Sequence, residues 1–319
     1  MAQIGVDIGR AEEILRQGGL VAIPTETVYG LAGNALKESS VSKIFKAKNR
    51  PSFDPLIVHT NALHKVESFV RYIPDQAIQL AKQFWPGPLT LLLQKKSIVP
   101  DLVTSGLDSV AVRIPNHELT LSLLAQLEFP LAAPSANPFG YVSPTTAEHV
   151  EAQLGHTVDY ILDGGACQVG VESTIVSFLE EKPKVLRLGG LAVEQIEEVI
   201  GSVRVNKHSS SSPQAPGMLK SHYAPGKSIV WIDGFNWKAA NDFSQIGAIV
   251  FQHPLEELPL ENQFVLSAKG DLEEAARNLF TALRTMDKNN HIALILTQRV
   301  PDVGLGRAIN DRLKRATAK

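Results

Sequence analysis

The chain has 319 residues of ordinary globular composition, 44% hydrophobic and 20% charged, which excludes a disordered or fibrous protein and predicts two domains. Its formal net charge of −2 gives the whole protein no strong attraction to nucleic acid, although the last 21 residues hold six basic and two acidic side chains. Cys167 is the single cysteine, which excludes an internal disulfide, and since no apolar run reaches about 18 residues we expect a cytoplasmic protein without a membrane span.

Short apolar runs alternate with helical patterns through the first part of the chain. Helices are predicted, after a short lead, within residues 4–17, and then over 41–48, 75–84, 117–127, 146–154 and 193–200. Buried strands are predicted over 20–23, 56–58, 89–93, 110–114, 130–133, 160–162 and 173–178. Because strands and helices are mixed and several steps look antiparallel, the pattern indicates an α/β or α+β fold.

A change of composition follows. Residues 208–217 read His-Ser-Ser-Ser-Ser-Pro-Gln-Ala-Pro-Gly, which is typical of a linker. Beyond it, strands are predicted over 229–232, 246–251, 264–266 and 293–296, with a helix over 272–287. This alternation favours a small Rossmann-like unit. We therefore predict a first domain over 1–203, a linker over 204–228 and a small α/β domain over 229–319.

Polar residues follow several predicted strands, where catalytic groups commonly collect. Thr25-Glu26-Thr27 comes directly after the strand at 20–23. Its two hydroxyls and its carboxylate could hold the ammonium and hydroxyl groups of an amino acid, or they could form a hydrogen-bonded turn. His59 stands at the end of the strand at 56–58, where a histidine by itself has no defined role.

Four cationic residues indicate anion binding. Lys48 and Arg50 lie close together at the end of a predicted helix, where they either complement the helix dipole or form a phosphate clamp. Arg113 lies inside an apolar strand, which is costly unless a carboxylate from the protein or from a substrate pairs with it. Arg187 lies in a second apolar strand and needs an anion for the same reason.

A stiff polar loop contains Ser135 and Asn137 between prolines, with Ser143 just beyond it. It either presents hydroxyl, amide and N–H groups to a phosphate or ribose, or forms an Asx-turn. Gly226-Lys227-Ser228 fails as a phosphate-binding loop because Ser221 stands where the first glycine is required. The sequence also contains no Gly-x-Gly-x-x-Gly dinucleotide motif, no Gly-x-Ser-x-Gly hydrolase elbow and no His-Glu-x-x-His zinc helix. Any metal is therefore predicted to be Mg²⁺ carried by a nucleotide.

Seven motifs occur in one order along residues 5–200. They are Pro24-Thr25-Glu26-Thr27-Val28-Tyr29-Gly30-Leu31, Lys48-Asn49-Arg50-Pro51, Pro55-Leu56-Ile57-Val58-His59, Trp85-Pro86-Gly87-Pro88-Leu89-Thr90, Val112-Arg113-Ile114-Pro115, Pro134-Ser135-Ala136-Asn137 and Glu172-Ser173-Thr174. Together they closely resemble the YrdC-like family of threonylcarbamoyl-AMP synthases. The segment 216–226, Pro-Gly-Met-Leu-Lys-Ser-His-Tyr-Ala-Pro-Gly, followed by a small α/β unit, resembles the longer two-domain form of that family.

The resemblance implies a catalytic domain built on a large twisted sheet with an open concave cavity. It also implies a nucleotidyltransferase: the amine of L-threonine takes up CO₂ from bicarbonate, and the carbamate oxygen attacks the α-phosphate of ATP, so that pyrophosphate and water are released. Separate proteins would then transfer the threonylcarbamoyl group to the adenosine beside the anticodon of tRNA. Docking to that transfer machinery, and direct tRNA contact through the basic tail, are left open.

Site residues follow from the same resemblance. The family's catalytic tetrad falls on Lys48, Arg50, Ser135 and Asn137, which would bind the phosphates and the adenylate. The ATP site would add Asp54, Ser143, Arg187 and Tyr223, with Tyr223 reaching back from the linker over the cavity. The threonine site would consist of Thr25, Thr27, His59, Arg113 and Ser173. Mg²⁺ would enter with ATP, without a protein-caged metal.

One position departs from the family pattern, because Asn49 stands where many relatives carry glycine. The alternative enzyme is a carbamoyl-adenylate former of hydrogenase maturation, which uses a related domain but carries acylphosphatase and zinc-finger modules that are absent from this sequence. The alternative from another class is an RNA-binding module, which the net charge of −2 and the lack of basic–aromatic interleaving argue against.

Overall fold

The computed structural model describes residues 1–206, 214–219, 222–234, 236–239 and 243–318. The chain divides into two compact units. Unit 1 comprises Met1–Phe139, Ser143–Gln168 and Glu172–Leu219, whereas unit 2 comprises Gly140–Val142, Val169–Val171 and Lys220–Lys319. Parts of the predicted linker, at 207–213 and 220–221, lie outside the described residues.

Unit 1 is built on one large mixed sheet. Its strands are β1 Gln3–Gly5, β2 Val21–Ile23, β3 Gly30–Asn34, β4 Ile57–His59, β5 Leu89–Gln94, β6 Ser109–Arg113, β7 Leu131–Ala132, β8 Tyr160–Leu162, β9 Thr174–Ser177, β10 Lys184–Arg187 and β11 Arg204–Val205. Its helices are α1 Ile8–Arg16, α2 Glu38–Lys48, α3 Leu63–Val66, α4 Asp75–Phe84, α5 Asp101–Thr104, α6 Glu118–Gln126, α7 Ala147–Leu154 and α8 Val193–Ile200. The strand order is β1-β8-β2-β3-β7-β4-β6-β5-β9-β10-β11.

The middle of this sheet has two differently covered faces, because successive side chains of a strand point to opposite sides. One face carries Val58, Leu91 and Val112, which belong to the main hydrophobic core. The other face carries a separate apolar cluster that consists of Ile57, Leu92, Ala111, Ile175 and Leu186 together with Ala215 and Met218. We call this second face the site face.

Local sequence signals set the helix boundaries next to the sheet. The side chain of Asp7 accepts a hydrogen bond from the N–H of Arg10 at the start of α1, and Gly18 adopts a left-handed φ of 83° just beyond its end. Helix α2 ends at Asn49, whose φ of 51° is also left-handed. The helix therefore ends at Lys48, as predicted, before it reaches Pro51.

Unit 2 contains a four-stranded parallel sheet with the order β12-β15-β13-β14. The strands are β12 Ser228–Trp231, β13 Ile246–Val250, β14 Gln263–Val265 and β15 Leu294–Thr297, and the helices are α9 Leu272–Lys288 and α10 Leu305–Ala316. This agrees with the predicted small α/β unit. Within the basic tail, Arg312 in α10 is fully buried and pairs with Asp311 at 2.9 Å, as does Arg315.

The predicted fold class is confirmed, and the predicted helices at 75–84 and 193–200 match α4 and α8 to the residue. Elements that the sequence did not predict include β3, whose sequence Gly-Leu-Ala-Gly-Asn has low strand propensity. The short helices α3 and α5, the edge strand β11 and the last helix α10 were also missed. Among the described residues, no helix is both long and apolar enough to cross a membrane.

Candidate functional site

Polar side chains gather on the site face beside its apolar cluster. His59 lies opposite Arg113 across the parallel pair of β4 and β6, two residues after Ile57 and Ala111 respectively. By strand alternation both side chains share the site face. His59 is 2% exposed and Arg113 is 4% exposed, so the site is built from buried polar groups that need defined partners.

Lys48 connects the end of α2 to the polar loop after β7. Its Nζ donates hydrogen bonds to the backbone oxygens of Ser135 and Asn137, each at 2.5 Å. Burial lowers the pKa of the Lys48 ammonium well below its usual range, and the positive charge of Arg50 lowers it further. An anion near Nζ would therefore favour the charged form of this lysine.

Arg50 and Asp54 form a buried ion pair two residues beyond α2. The distance from Arg50 Nη2 to Asp54 Oδ2 is 2.9 Å, and Arg50 also donates to the backbone oxygens of Asp54 and Pro55 at 2.9 and 2.7 Å. Burial raises the pKa of the Asp54 carboxyl, while Arg50, Lys48 and Arg187 act in the opposite direction. These four charged side chains therefore lie within electrostatic range of one another.

Arg187 at the end of β10 reaches Ser173 and the segment 214–219. Its Nε and Nη2 donate to the backbone oxygen and the Oγ of Ser173, both at 3.1 Å, and its Nη1 donates to Pro216 O at 3.1 Å. The Ser173 hydroxyl is also 2.7 Å from Thr90 Oγ1. With Ala215 and Met218 packed in the apolar cluster, this segment covers part of the site face.

Arg113 finds the carboxylate partner that its burial requires, and the protein supplies it. Its Nη2 lies 2.8 Å from Glu26 Oε1, and its Nε donates to Gly87 O at 3.3 Å. Glu26 Oε2 accepts a hydrogen bond from the N–H of Asn116 at 2.9 Å. Of the two alternatives left open by the sequence, the internal ion pair is present in the structure.

Thr25, Glu26 and Thr27 form a tight turn after β2. The Thr25 hydroxyl donates to Val28 O at 2.6 Å and accepts from the N–H groups of Thr27 and Val28 at 3.2 Å. It is also 2.9 Å from the Thr27 hydroxyl. Since Thr25 has one hydroxyl hydrogen and Val28 O takes it, Thr27 is the donor of that last bond. The Thr25 hydroxyl is thus committed to the turn, whereas the lone pairs of the Thr27 hydroxyl remain open to a donor.

His59 is neutral over the physiological pH range. Burial lowers the pKa of His59 to about 3, and the positive charge of Arg113 contributes to that shift. On this side of the site, Arg113 therefore provides the positive charge, and His59 can serve only as a neutral hydrogen-bonding group.

Ser143 and Tyr223 are the remaining two residues of the predicted nucleotide site. The Ser143 hydroxyl donates to Glu172 Oε1 at 2.6 Å in unit 1. Tyr223 belongs to unit 2, where its ring stacks on Phe280 at a centroid distance of 5.7 Å and the Arg312 guanidinium lies 5.0 Å from its centroid. The predicted contact of Tyr223 with a nucleotide therefore stays a prediction.

Metal binding can be tested from the donor set. The described residues contain no cluster of three or more His, Cys, Asp or Glu side chains that could hold a metal ion. The isolated Asp54 carboxylate and the cations around it suit a phosphate better than a protein-caged metal.

Most of the predicted site residues are thus brought together in unit 1. Lys48 contacts the loop of Ser135 and Asn137, Arg50 contacts Asp54, and Arg187 contacts Ser173. Sequence reasoning assigned no site role to Thr90 or Glu172, and it offered the Glu26 carboxylate only as a group that either holds an amino acid or forms a turn, although each stood inside a quoted motif. What identifies them is a contact: each pairs with a predicted residue, namely Arg113, Ser173 and Ser143 respectively.

Buried cations grouped on a large mixed sheet, in a chain that also carries a small parallel α/β unit, define the class of protein, and comparison with known families identifies which one. The family Sua5_yciO_yrdC, described as telomere recombination, matches residues 13–189. The family Sua5_C, described as the C-terminal domain of threonylcarbamoyl-AMP synthase, matches residues 191–318. The chain belongs to the Sua5/YrdC family and carries both of these regions.

Similar proteins cover nearly the whole chain. Threonylcarbamoyl-AMP synthase of Pyrococcus abyssi is 43% identical over 96% of this chain and 93% of its own length. The Bacillus subtilis protein of the same name is 41% identical over 97% of this chain and 92% of its own length. The crystal structure of P. abyssi Sua5 complexed with L-threonine superposes with a TM-score of 0.90 at 40% identity, covering 99% of this chain and 97% of that chain.

For the hydrogenase-maturation alternative, the related structure covers little more than half of this chain and shows a similar fold alone. A structure of HypF superposes with a TM-score of 0.52 at 21% identity over 58% of this chain and 29% of HypF. Since both regions of the Sua5 type are matched and the P. abyssi relative is similar over nearly its whole length, the family assignment favours the two-domain synthase.

Proposed function

We propose that the chain synthesises L-threonylcarbamoyl-AMP from L-threonine, bicarbonate and ATP with release of pyrophosphate. This is the first step of threonylcarbamoyladenosine modification of tRNA next to the anticodon. The observation that carries the proposal is the similarity to threonylcarbamoyl-AMP synthases over 96% of the chain. The buried cations grouped on and around the site face support it.

ATP is bound by the tetrad Lys48, Arg50, Ser135 and Asn137, with Asp54, Ser143, Arg187 and Tyr223 as further nucleotide contacts. Burial disfavours the charged form of Lys48, and phosphate oxygens near its Nζ favour that form. Arg50 offers the phosphates its planar set of donors, and Asp54 holds that guanidinium in place. Mg²⁺ would enter with the phosphates of ATP and supply further neutralisation of their charge.

L-Threonine is bound by Thr27, His59, Arg113 and Ser173, with Thr25 shaping the turn that presents Thr27. Arg113 pairs with the α-carboxylate, because it is the buried cation on this part of the site face. The Thr27 hydroxyl accepts a hydrogen bond from the amine, since its own hydrogen already goes to Thr25.

The reaction then needs positioning and charge neutralisation rather than a protein nucleophile. Threonine's amine attacks the CO₂ derived from bicarbonate, which leaves water, and forms a carbamate. A carbamate oxygen attacks the α-phosphorus of ATP, and the bond from that phosphorus to the bridging oxygen breaks as pyrophosphate departs. Lys48 and Arg50 stabilise the negative charge that this in-line step concentrates on the phosphates.

The wider setting completes the proposal. The catalytic domain is assigned to 1–203, the linker to 204–228 and the C-terminal domain to 229–319. The enzyme works in the cytoplasm, where its product passes to the machinery that transfers the threonylcarbamoyl group to tRNA. The packed Arg312 and the pairing of Arg315 with Asp311 weaken the case for tRNA binding through the basic tail.

The reaction is tested with purified protein by measuring pyrophosphate in the presence of ATP and bicarbonate. We expect release that depends on L-threonine and an adenylate product of the corresponding mass. Release no greater than that with L-serine, or without an amino acid, would remove the threonine assignment.

The phosphate clamp is tested with Arg50→Ala. We expect kcat/KM to fall by at least about 100-fold, because a positioned donor to the phosphates is lost. Arg50→Lys keeps the charge next to Asp54 but loses the planar set of donors, and we expect a smaller loss. Arg16→Ala is the matched control, since Arg16 pairs with Glu12 and Glu128 away from the site. Near-normal turnover in a folded Arg50→Ala protein would exclude the clamp.

A further inference from the structure

Glu26 is buried in the middle of the turn that follows β2, and its carboxylate has two fixed contacts. It is 5% exposed. One oxygen lies 2.8 Å from Arg113 Nη2, and the other accepts from the N–H of Asn116 at 2.9 Å. The side chain therefore touches the cation assigned to the threonine carboxylate without being assigned to the substrate itself.

Arg113 is held at two points on one edge of its guanidinium. Nε donates to Gly87 O at 3.3 Å, and Nη2 faces Glu26. A guanidinium has five N–H donors in one plane. The contact with Glu26 is an ion pair without hydrogen-bond geometry, and among the described residues neither terminal nitrogen of Arg113 donates to a protein acceptor, so the end of the fork is open to another carboxylate. That end geometry suits bidentate binding of a carboxylate.

A buried ion pair is a weak source of stability, because desolvation of both charges offsets their attraction. The desolvation cost of the Glu26–Arg113 pair has a functional reason if the pair also prepares Arg113 to bind a substrate. We propose that Glu26 is a positioning residue that holds the Arg113 guanidinium in the orientation that binds the α-carboxylate of the amino-acid substrate; this proposal rests on the proposed function.

The turn gives this arrangement its precision. Thr25 locks the turn through Val28, so Glu26 and its neighbour Thr27 are carried on one rigid piece of backbone. Thr27 faces the amine end of threonine and Glu26 sets the group that binds the carboxylate end. One turn thereby fixes the spacing between the two recognition points of an α-amino acid.

The experiment compares Glu26→Gln with wild type in the pyrophosphate assay and in threonine-induced thermal shift. Glutamine keeps the shape and can still accept from Asn116 N–H, but it removes the charge that holds Arg113. We expect the KM for threonine to rise about 10- to 100-fold, because a misplaced group costs up to that much. The KM for ATP should stay within about 2-fold, and the thermal shift with threonine should weaken in parallel.

Two further variants separate positioning from folding. Asp101→Asn removes another carboxylate that faces a buried cation, Lys95 at 2.5 Å, and should leave both KM values unchanged. In the Arg113→Ala background, Glu26→Gln should have little additional effect on the KM for threonine, because the group that it positions is gone. If Glu26 only stabilised the fold, the effects of Glu26→Gln and Arg113→Ala on the KM for threonine would instead add.

An unchanged threonine KM in Glu26→Gln, or an equal rise in the KM for ATP, would overturn the proposal. If Glu26→Gln does not fold, Glu26→Asp is measured instead, since it keeps the charge but shortens the reach and should raise the threonine KM selectively. Absence of threonine-dependent pyrophosphate release in wild type would contradict the proposed function, which is a distinct outcome.

Discussion

Thr25 and Thr27 differ by two positions in the sequence, but their hydroxyls make different hydrogen bonds. The Thr25 hydroxyl makes four hydrogen-bond contacts inside the turn, whereas Thr27 gives its hydrogen to Thr25 and keeps its lone pairs available. The sequence could not decide which of the two meets the substrate. The direction of one hydrogen bond, from Thr25 to Val28 O, makes the distinction.

Valine substitutions test that distinction, since valine keeps the volume of threonine and removes the hydroxyl. We expect Thr25→Val to lower the free energy of unfolding by about 2–4 kcal/mol, because buried backbone groups of Thr27 and Val28 lose their partner. Thr27→Val should raise the KM for threonine about 10-fold, equivalent to about 1.4 kcal/mol, with a smaller loss of stability. Urea unfolding and steady-state kinetics measure the two effects, and a reversed pattern would assign the substrate contact to Thr25.

His59 makes stability depend on pH. Its pKa is about 3 in the folded chain and about 6.5 when unfolded, so between these values only the unfolded state binds the proton. Stability from this group is therefore complete above about pH 6.5 and is lost as pH falls towards 3.

A His59→Gln variant should remove that dependence. Between pH 7 and pH 5 we expect its free energy of unfolding to fall by about 2 kcal/mol less than that of wild type. Urea unfolding at the two pH values measures the difference, and parallel losses in both proteins would show that His59 titrates normally in the folded chain.

At the scale of elements, the end of α2 places the two cations of the phosphate clamp. Asn49 adopts φ 51° and ψ 39°, a left-handed conformation that only glycine and asparagine adopt easily. Asn49 thereby ends the helix between Lys48, whose Nζ bonds to the backbone oxygens of Ser135 and Asn137, and Arg50, which pairs with Asp54.

Substitutions at Asn49 follow from this geometry. Asn49→Gly should change the free energy of unfolding by less than about 1 kcal/mol, because glycine accepts a positive φ without strain. Asn49→Val should lose about 1–2 kcal/mol, since a branched side chain clashes in the left-handed region. Denaturant unfolding checks both variants, and equal stability of the two would mean that this residue leaves the left-handed conformation in solution.

The elements also show where sequence patterns succeed. Helices α4 and α8 have apolar residues at helical spacing and clear ends, so their bounds were predicted to the residue. Strand β3 contains two glycines and was missed, because its strand conformation comes from pairing with β2 and β7 rather than from propensity. That strand begins at Gly30, within the motif that carries Thr25 and Thr27.

At the scale of the whole molecule, unit 2 includes two short segments that interrupt unit 1 in sequence, Gly140–Val142 and Val169–Val171. Gly170 has a φ of 79°, and a Cβ on it would lie 2.3 Å from the Cα of Arg277 and 2.7 Å from Ala276 O in α9. Only glycine fits at position 170 so close to the backbone of α9. Gly140 has the same φ, but a Cβ there would meet no atom within 4 Å.

These two glycines form a matched pair for alanine substitution. Gly140→Ala should cost about 1 kcal/mol of unfolding free energy from backbone strain alone. Gly170→Ala carries the same strain and also forces the backbone of α9 away, so we expect it to cost at least about 2 kcal/mol more. Urea unfolding followed by circular dichroism measures the difference, and similar losses would show that segment 169–171 does not pack against α9.

By itself the sequence determined the fold class, the family and the order of the motifs, because periodicity and local motifs are carried by neighbouring residues. Only the tertiary structure decided what each polar group in the turn after β2 does. Glu26 and Arg113 are 87 positions apart, and no local pattern records that their side chains meet at 2.8 Å. The physical reason is that a buried charge without a partner is energetically costly, while the folding of the sheet determines which oppositely charged group lies close enough to pair with it.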